Sequence, residues 1–329
     1  MFSTCPQSKD VRSGEHYLRS VADVARWSED AGCEGILVYT DNGIVDPWLV
    51  SQIVLEATER LCPLVAVQPV YMHPYSVAKM VTSLAYLHGR KIYLNMLAGG
   101  FKNDLLALGD KTLHDDRYAR TTDYSMIVLA LLRGEAPVTA SGDHYEVANL
   151  RLMPPLPAEL MPGVLVSGSS PAGMATAAAL GAVPVKYPQP PGEEQPSDDG
   201  AFGVRIGIVA RDTGAEAWRV ALERFPEDRT GKVAHAVAMK VSDSHWHRQL
   251  SQRVEDPQDG TRNPYWLGPF QNYKTFCPYL VGDHGTVANL VGAYRAAGAS
   301  TFILDIPPSR EELEHIERVF TLSDELETV

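Results

Sequence analysis

Hydrophobic positions along the 329-residue chain follow two alternating periods. Amphipathic stretches near a 3.6-residue repeat give way to short β-branched runs ending in Gly, Pro or Thr, which is how parallel strand–helix units read. The first strand is expected within 1–6. The first helix is expected over 15–31, where Leu18, Val21, Val24, Ala25 and Trp27 share a face and Gly32 closes the helix. ILVYT (36–40) is the second strand, and Asp46-Pro47 opens the helix that runs to Thr58 with an N-cap and a proline at the first helical position. LVAVQP (64–69), IYLNMLAGG (92–100), GVLVSGSS (163–170), AVPVKY (182–187), VRIGIVA (204–210) and TFILDIP (301–307) are the remaining strands. Helices are expected over YSVAKMVTSLAYLH, 115–133, the Ala-rich stretch to Leu180, 215–224, HGTVANLVGAYRAAG and 309–322.

Eight strands alternating with helices predict an α/β fold, a (β/α)8 TIM barrel with rim insertions, as one domain over 1–329. An open doubly wound sheet would want a G-x-G-x-x-G turn after the first strand, and the segment there is CPQSKDVRSG. Three stretches break the rhythm. Residues 137–155 read as an inserted β-hairpin turning at Ser141-Gly142-Asp143. Residues 188–200, rich in Pro and acid, read as a mobile surface loop, and the irregular 226–278 is long enough for an active-site lid.

Composition narrows the partners. A net charge of −12 and the lack of any Lys/Arg block disfavour nucleic acid and anionic membranes, which leaves a small-molecule substrate. Cys5, Cys33, Cys62 and Cys277 are scattered without a C-x-x-C pair, a pattern of packed, reduced thiols rather than a disulfide framework or a zinc site. No apolar run approaches the roughly 18 residues a bilayer span needs, and the first ten residues lack a signal-peptide pattern, so a cytoplasmic location is expected.

In a barrel, chemistry sits at the C-terminal ends of the strands. Gly168-Ser169-Ser170 follows the fifth strand and opens a helix, joining backbone N–H groups, two hydroxyls and a helix dipole into an anion site suited to a phosphate monoester; an ordinary capped turn explains the same residues. HDDRY (114–118) starts a helix, with Asp115 and Asp116 fitting dipole compensation and Arg117 and Tyr118 able to reach a phosphate. Asn95, inside an apolar strand, needs partners for its amide, either backbone or a polar ring edge. His73-Pro74 ends the third strand, where a histidine is more often structural than catalytic.

The run HPYSVAKMVTSLAYLHGRKIYLNMLAGG (73–100), then LGDKTLHDDRYARTTDYSMIVLALLRG, GDHYEV, VLVSGSSPAGMATAAALGA, FGVRIGIVARDTGAEAW and LVGDHGTVANLVGAYRAAGASTFIL resemble, in order, the bacterial luciferase-like monooxygenase superfamily, and within it the alkanesulfonate monooxygenase branch. The resemblance covers the chain apart from about 187–201 and 226–278. It implies a (β/α)8 barrel forming a homodimer or higher oligomer. It also implies a monooxygenase that uses O2 and reduced FMN (FMNH2) delivered by a separate NAD(P)H-dependent flavin reductase. By position, Tyr118, Gly168, Ser169 and Ser170 would hold the flavin phosphate, Asn95 would face the ring, and Arg205 would lie beside the reacting centre.

Departures from that branch point away from a simple alkanesulfonate. Ile44 stands where the branch has a cysteine, and Gly207 where it has a histidine. A second arginine of the branch falls near Tyr273-Lys274, and the sixth strand ends in Lys186-Tyr187. Ile44, His73, Lys186, Tyr187, Tyr273 and Lys274 are therefore the candidates for a remodelled substrate pocket. Two other readings stand beside the monooxygenase: an F420-dependent oxidoreductase of the same superfamily, and a catalytically silent flavin-binding or dimer-partner subunit.

Overall fold

A computed structural model describes residues 1–11, 13–194, 200–233, 235 and 262–327. In chain order the elements are β1 (Phe2–Thr4), α1 (Gly14–Asp30), β2 (Gly35–Val38), α2 (Pro47–Ala57), β3 (Cys62–Val67), α3 (Pro74–His88), β4 (Tyr93–Leu97), α4 (Lys102–Ala107) and α5 (His114–Arg133). They continue as β5 (Val138–Ser141), β6 (Glu146–Leu150), β7 (Val164–Ser167), α6 (Pro171–Leu180), β8 (Val183–Lys186), β9 (Phe202–Arg211) and α7 (Gly214–Arg224). The last are β10 (Tyr265–Trp266), α8 (Gly268–Gln271), β11 (Tyr279–Asp283), α9 (His284–Ala296), β12 (Ala299–Leu304) and α10 (Arg310–Glu327).

These elements fall into two compact units, one of Cys5–Glu29 with Glu34–Pro184, the other of Met1–Thr4, Asp30–Cys33 and Val185–Val329. In the first, β2, β3, β4 and β7 pair in parallel, with Val65 opposite Leu94 and Asn95 opposite Leu165. Val65, Val67, Leu94, Met96 and Val166 pack there against Val77, Val81, Tyr124, Val128 and Leu132 from α3 and α5. In the second, β9 pairs in parallel with β8, β12 and β11, and β12 pairs with β1. All ten residues of β9 are buried, as expected of a parallel strand covered on both faces. The eight strands read from periodicity are all present, and strands alternating with helices in two parallel sets define the (β/α)8 barrel class.

Local chemistry explains the boundaries. Asp46 caps α2, its carboxylate accepting from the Trp48 amide at 2.9 Å with Pro47 following. The hairpin forms as β5 against β6, Ser141 facing Glu146. Among the described residues, β10 and α8 lie in the stretch read as irregular, and β11 and α4 also escape periodicity. The strand β11 is a five-residue run directly ahead of α9, too short to separate from the helix pattern, and α4 is a single six-residue helix. Of the acidic loop, 195–199 lie outside the described residues, and so do 234 and 236–261 of the segment read as a lid. In the described part of the acidic loop, Glu194 pairs with Lys186 and accepts from the Gln189 amide at 2.8 Å.

Glu312, at the start of α10, is buried between two arginines, pairing with Arg211 of β9 and with Arg224 of α7 at 2.5 Å. Removing one member of a buried charge cluster leaves the others uncompensated. Glu312→Gln is expected to destabilise the protein by about 3–5 kcal/mol, read as a lower urea midpoint with an unchanged slope.

Candidate active site

The turn after β7 is shaped by what its glycines lack. Ser170 caps α6, its hydroxyl accepting from the Gly173 amide at 3.2 Å, and Pro171 takes the first helical position. A Cβ on Gly173 would lie 2.8 Å from the Gly168 carbonyl oxygen, so the turn can fold onto the first helical turn only with glycine at 173. A Cβ on Gly168 would overlap the Tyr118 hydroxyl. The phenol of α5 thus occupies the space a side chain at 168 would fill. It hydrogen bonds with the Ser170 hydroxyl and lies 3.4 Å from the Ser167 carbonyl. Burial raises the Tyr118 pKa, which keeps the phenol protonated and able to donate at neutral pH. Ser169 is half-buried at the apex of the turn.

Tyr118, Gly168, Ser169 and Ser170 are therefore brought together, as the sequence predicts. A helix N-terminus, a phenol and two serine hydroxyls on a glycine-lined turn fit a phosphate monoester. Ser170 also bears out its plainer reading as a cap. Asn95 is buried on β4 and its side-chain oxygen accepts from the Ser167 hydroxyl at 2.8 Å. Ser167 was not singled out from sequence; the available signal was a polar residue closing an apolar strand directly before the turn.

Arg117 points elsewhere. Its guanidinium donates to the Thr112 carbonyl at 3.0 Å and is directed at the Gly99 carbonyl at 3.4 Å, so it braces the segment leading into α5. His73 caps α3, its Nδ1 accepting from the Tyr75 amide at 3.1 Å, with its ring edge-on to Tyr145. Ile44 is half-buried in the loop before α2. In the same loop, Asn42 donates to the Asp104 carbonyl at 3.1 Å and accepts from the Tyr71 hydroxyl at 2.8 Å.

The other unit holds the remaining candidates. Arg205 is buried on β9, its guanidinium 3.8 Å from the Asp305 carboxylate and donating to the Cys277 sulfur. Lys186 is engaged by Glu194 and lies 3.8 Å from the centre of the Phe202 ring. Lys274 pairs with Asp228 at 2.6 Å. Tyr187 packs with Tyr279, Cys277 and Val209, and burial raises its pKa. Tyr273 adopts a φ of +57° beside Phe276 and His235.

Asp110 holds the approach to α5. Burial would raise its pKa, but donors from Arg120 and Thr112 outweigh that and lower it to about 2; Arg120 lies at 2.6 Å and the Thr112 hydroxyl at 2.6 Å. A folded pKa below the unfolded one means that the stabilisation is complete above the unfolded value and lost as pH falls through the folded one. Asp110→Asn should cost about 2 kcal/mol near neutral pH. In urea unfolding, the gap to the wild type should close between about pH 4 and about pH 2.

Comparison with known proteins identifies the family and the fold. The family model described as luciferase-like monooxygenase matches residues 1–301. The chain is 32% identical, over 97% of its length and 95% of the relative's, to the 4-(gamma-L-glutamylamino)butanoyl-(BtrI acyl-carrier protein) monooxygenase BtrO of Niallia circulans. Its fold is similar to that of the EDTA monooxygenase of Chelativorans sp. BNC1, with a TM-score of 0.71 at 16% identity covering 98% of this chain and 93% of that one. It is also similar to the FMN complex of the oxygenating constituent of 3,6-diketocamphane monooxygenase from Pseudomonas putida, with a TM-score of 0.65 at 17% identity covering 93% of each chain. The chain belongs to the luciferase-like monooxygenase family.

Proposed function

We propose that this chain is the oxygenase component of a two-component, reduced-FMN-dependent monooxygenase, with a separate NAD(P)H-dependent reductase supplying the flavin. Its substrate in this reading is an acyl group presented as a thioester on an acyl-carrier protein. The observation that carries the cofactor is the Tyr118 phenol seated at Gly168 and hydrogen bonded to Ser170 at the start of α6. The substrate class follows the presentation named for the Niallia circulans relative. The charge pattern argues against a simple sulfonate, because Lys186 and Lys274 are both matched by carboxylates, whereas a sulfonate would want a cluster of cations.

When bound, reduced flavin supplies the two electrons with which one atom of O2 enters the substrate and the other leaves as water. The chain's part is to bind, orient and stabilise. Tyr118, Ser169, Ser170 and the amides of the 168–170 turn would hold the phosphate, and Asn95 would present its amide to the ring edge. Arg205 would offset the negative charge that develops on oxygen during transfer, a task for which a fixed cation in a water-poor site is suited. A homodimer or higher homo-oligomer is part of the same proposal, since α2 and α3 leave Leu49, Tyr86 and Leu87 63%, 74% and 67% exposed.

Tyr118→Phe and Ser169→Ala should each weaken FMN binding by about 0.5–3 kcal/mol, the span from an ordinary hydrogen bond to one made to a charged group. Fluorescence titration measures this, and unchanged affinity in both variants would remove the phosphate assignment. The same titration with F420 separates the deazaflavin reading, which requires tighter binding of that cofactor. Arg205→Ala should lower turnover of a carrier-bound acyl substrate, followed by mass spectrometry of the carrier with reductase, NAD(P)H and FMN present, more than it lowers FMN affinity. A loss confined to affinity would move Arg205 to the cofactor.

A further inference from the structure

Gly207 and Tyr279 occupy one space. The two residues are paired across β9 and β11, and a Cβ on Gly207 would overlap the Tyr279 ring. Lying across that bare backbone, the ring is backed by Phe225 at 4.9 Å between centroids and is almost wholly buried. Its hydroxyl is thereby delivered to Asp305, donating to Oδ2 at 2.8 Å. The Thr275 hydroxyl donates to that same oxygen. Two hydroxyls therefore fix one oxygen of the carboxylate, and the other, Oδ1, faces the Arg205 guanidinium at 3.8 Å. The Asp305 amide, bonded to the Ile206 carbonyl at 3.0 Å, ties its backbone to the strand that carries Arg205.

We infer that Tyr279 and Thr275 are positioning residues that lock Asp305 so that its carboxylate aims the Arg205 guanidinium. The inference rests on the reading of Arg205 as the cation of oxygen transfer. The geometry suits the task. At 3.8 Å the carboxylate acts on the guanidinium through its field rather than as a close bidentate pair, so it orients the cation without chelating it. A carboxylate that is only partly exposed would swing to the nearest donor unless its other oxygen were already held. Tyr279 can only donate here, because burial and the neighbouring Asp305 charge keep the phenol protonated.

The test separates a hydroxyl from a ring. Tyr279→Phe keeps the packing and removes the donor, while Thr275→Val and Thr275→Ser remove and restore the second one. Arg205 is followed in the flavin-free protein by NMR of its side-chain Nε–H signal, and activity is followed with a carrier-bound acyl substrate, FMN and reductase. Tyr279→Phe and Thr275→Val should each shift or broaden the Arg205 signal and lower kcat roughly ten-fold or more, with KM and FMN affinity within about two-fold. Thr275→Ser should match the wild type in both readouts. Gly207→Ala, which evicts the ring, should reproduce the Tyr279→Phe defect. An unchanged Arg205 signal in both Tyr279→Phe and Thr275→Val would overturn the positioning role. Should Tyr279→Phe fail to fold, the contrast between Thr275→Val and Thr275→Ser decides the matter. Because the NMR arm uses no flavin, a wild type that fails to bind FMN would overturn the functional reading, while the Arg205 signal would still decide the positioning role.

Discussion

Tyr118 reaches the turn after β7 because residue 168 presents no side chain to meet it. A phenol on α5 and a backbone turn are brought into contact, and the helix that starts at Ser170 is held against the turn by a second bare position at Gly173. The constraint is steric before it is electrostatic. With the turn closed on itself and the phenol lodged at 168, hydroxyls and the helix N-terminus converge on one small volume, and only then does the helix dipole have something to act with. The same device recurs in the chain. The Tyr93 ring lies against Gly163, where a Cβ would approach within 2.6 Å, and its hydroxyl reaches Glu34; the Tyr279 ring lies across Gly207 and reaches Asp305. In each case a glycine on one strand or turn decides where a tyrosine hydroxyl ends.

That device explains which parts of the molecule can be read from sequence. Strand and helix identities follow from local periodicity, and the eight strands of the barrel class emerge from β-branched runs a few residues long. The short β11 does not, because YLVGD merges into the apolar pattern of α9. At the site, Gly168, Ser169 and Ser170 are neighbours in the chain and legible as a turn. Tyr118 becomes assignable through resemblance, and its contact with Gly168 spans fifty positions that no local pattern reports. Gly207 shows the limit most clearly. Read along the chain it is the loss of a histidine, whereas in the fold it is the seat for Tyr279. Asp305 and Thr275 carry no sequence signal at all, since their roles arise from hydrogen bonds across long sequence separations.

Charge placement gives a second view of the substrate. The chain carries 41 acidic against 29 basic side chains, yet the three cations read from sequence as pocket or catalytic candidates each have a carboxylate beside them. Lys186 and Lys274 stand in close pairs, and a close pair offers a ligand little net charge. Arg205 differs in distance and in burial, with its carboxylate partner beyond direct hydrogen-bond range. A site with one strongly directed cation suits charge that develops at a single oxygen better than a ligand that is anionic from the outset.

Burying Arg205 with Asp305 is not a route to stability, because desolvating two charges costs several kcal/mol per ion and an apolar pair of similar volume would generally serve the core as well. The arrangement of hydroxyls makes the same point. Thr275 and Tyr279 both direct their donors to one carboxylate oxygen, which is more than stabilising a lone packed aspartate would require. What the second hydroxyl adds is direction, since a carboxylate held at one oxygen by two fixed donors has little freedom to rotate. The glycine at 207 is then part of the same construction. It removes a side chain from a fully buried strand, at a cost in packing and backbone entropy that the Tyr279 ring recovers only by filling the gap. A strand position left bare, a ring laid across it and two donors converging on one oxygen cohere as a device for aiming a guanidinium, over and above the packing of that ring with Val209, Cys277 and Val281.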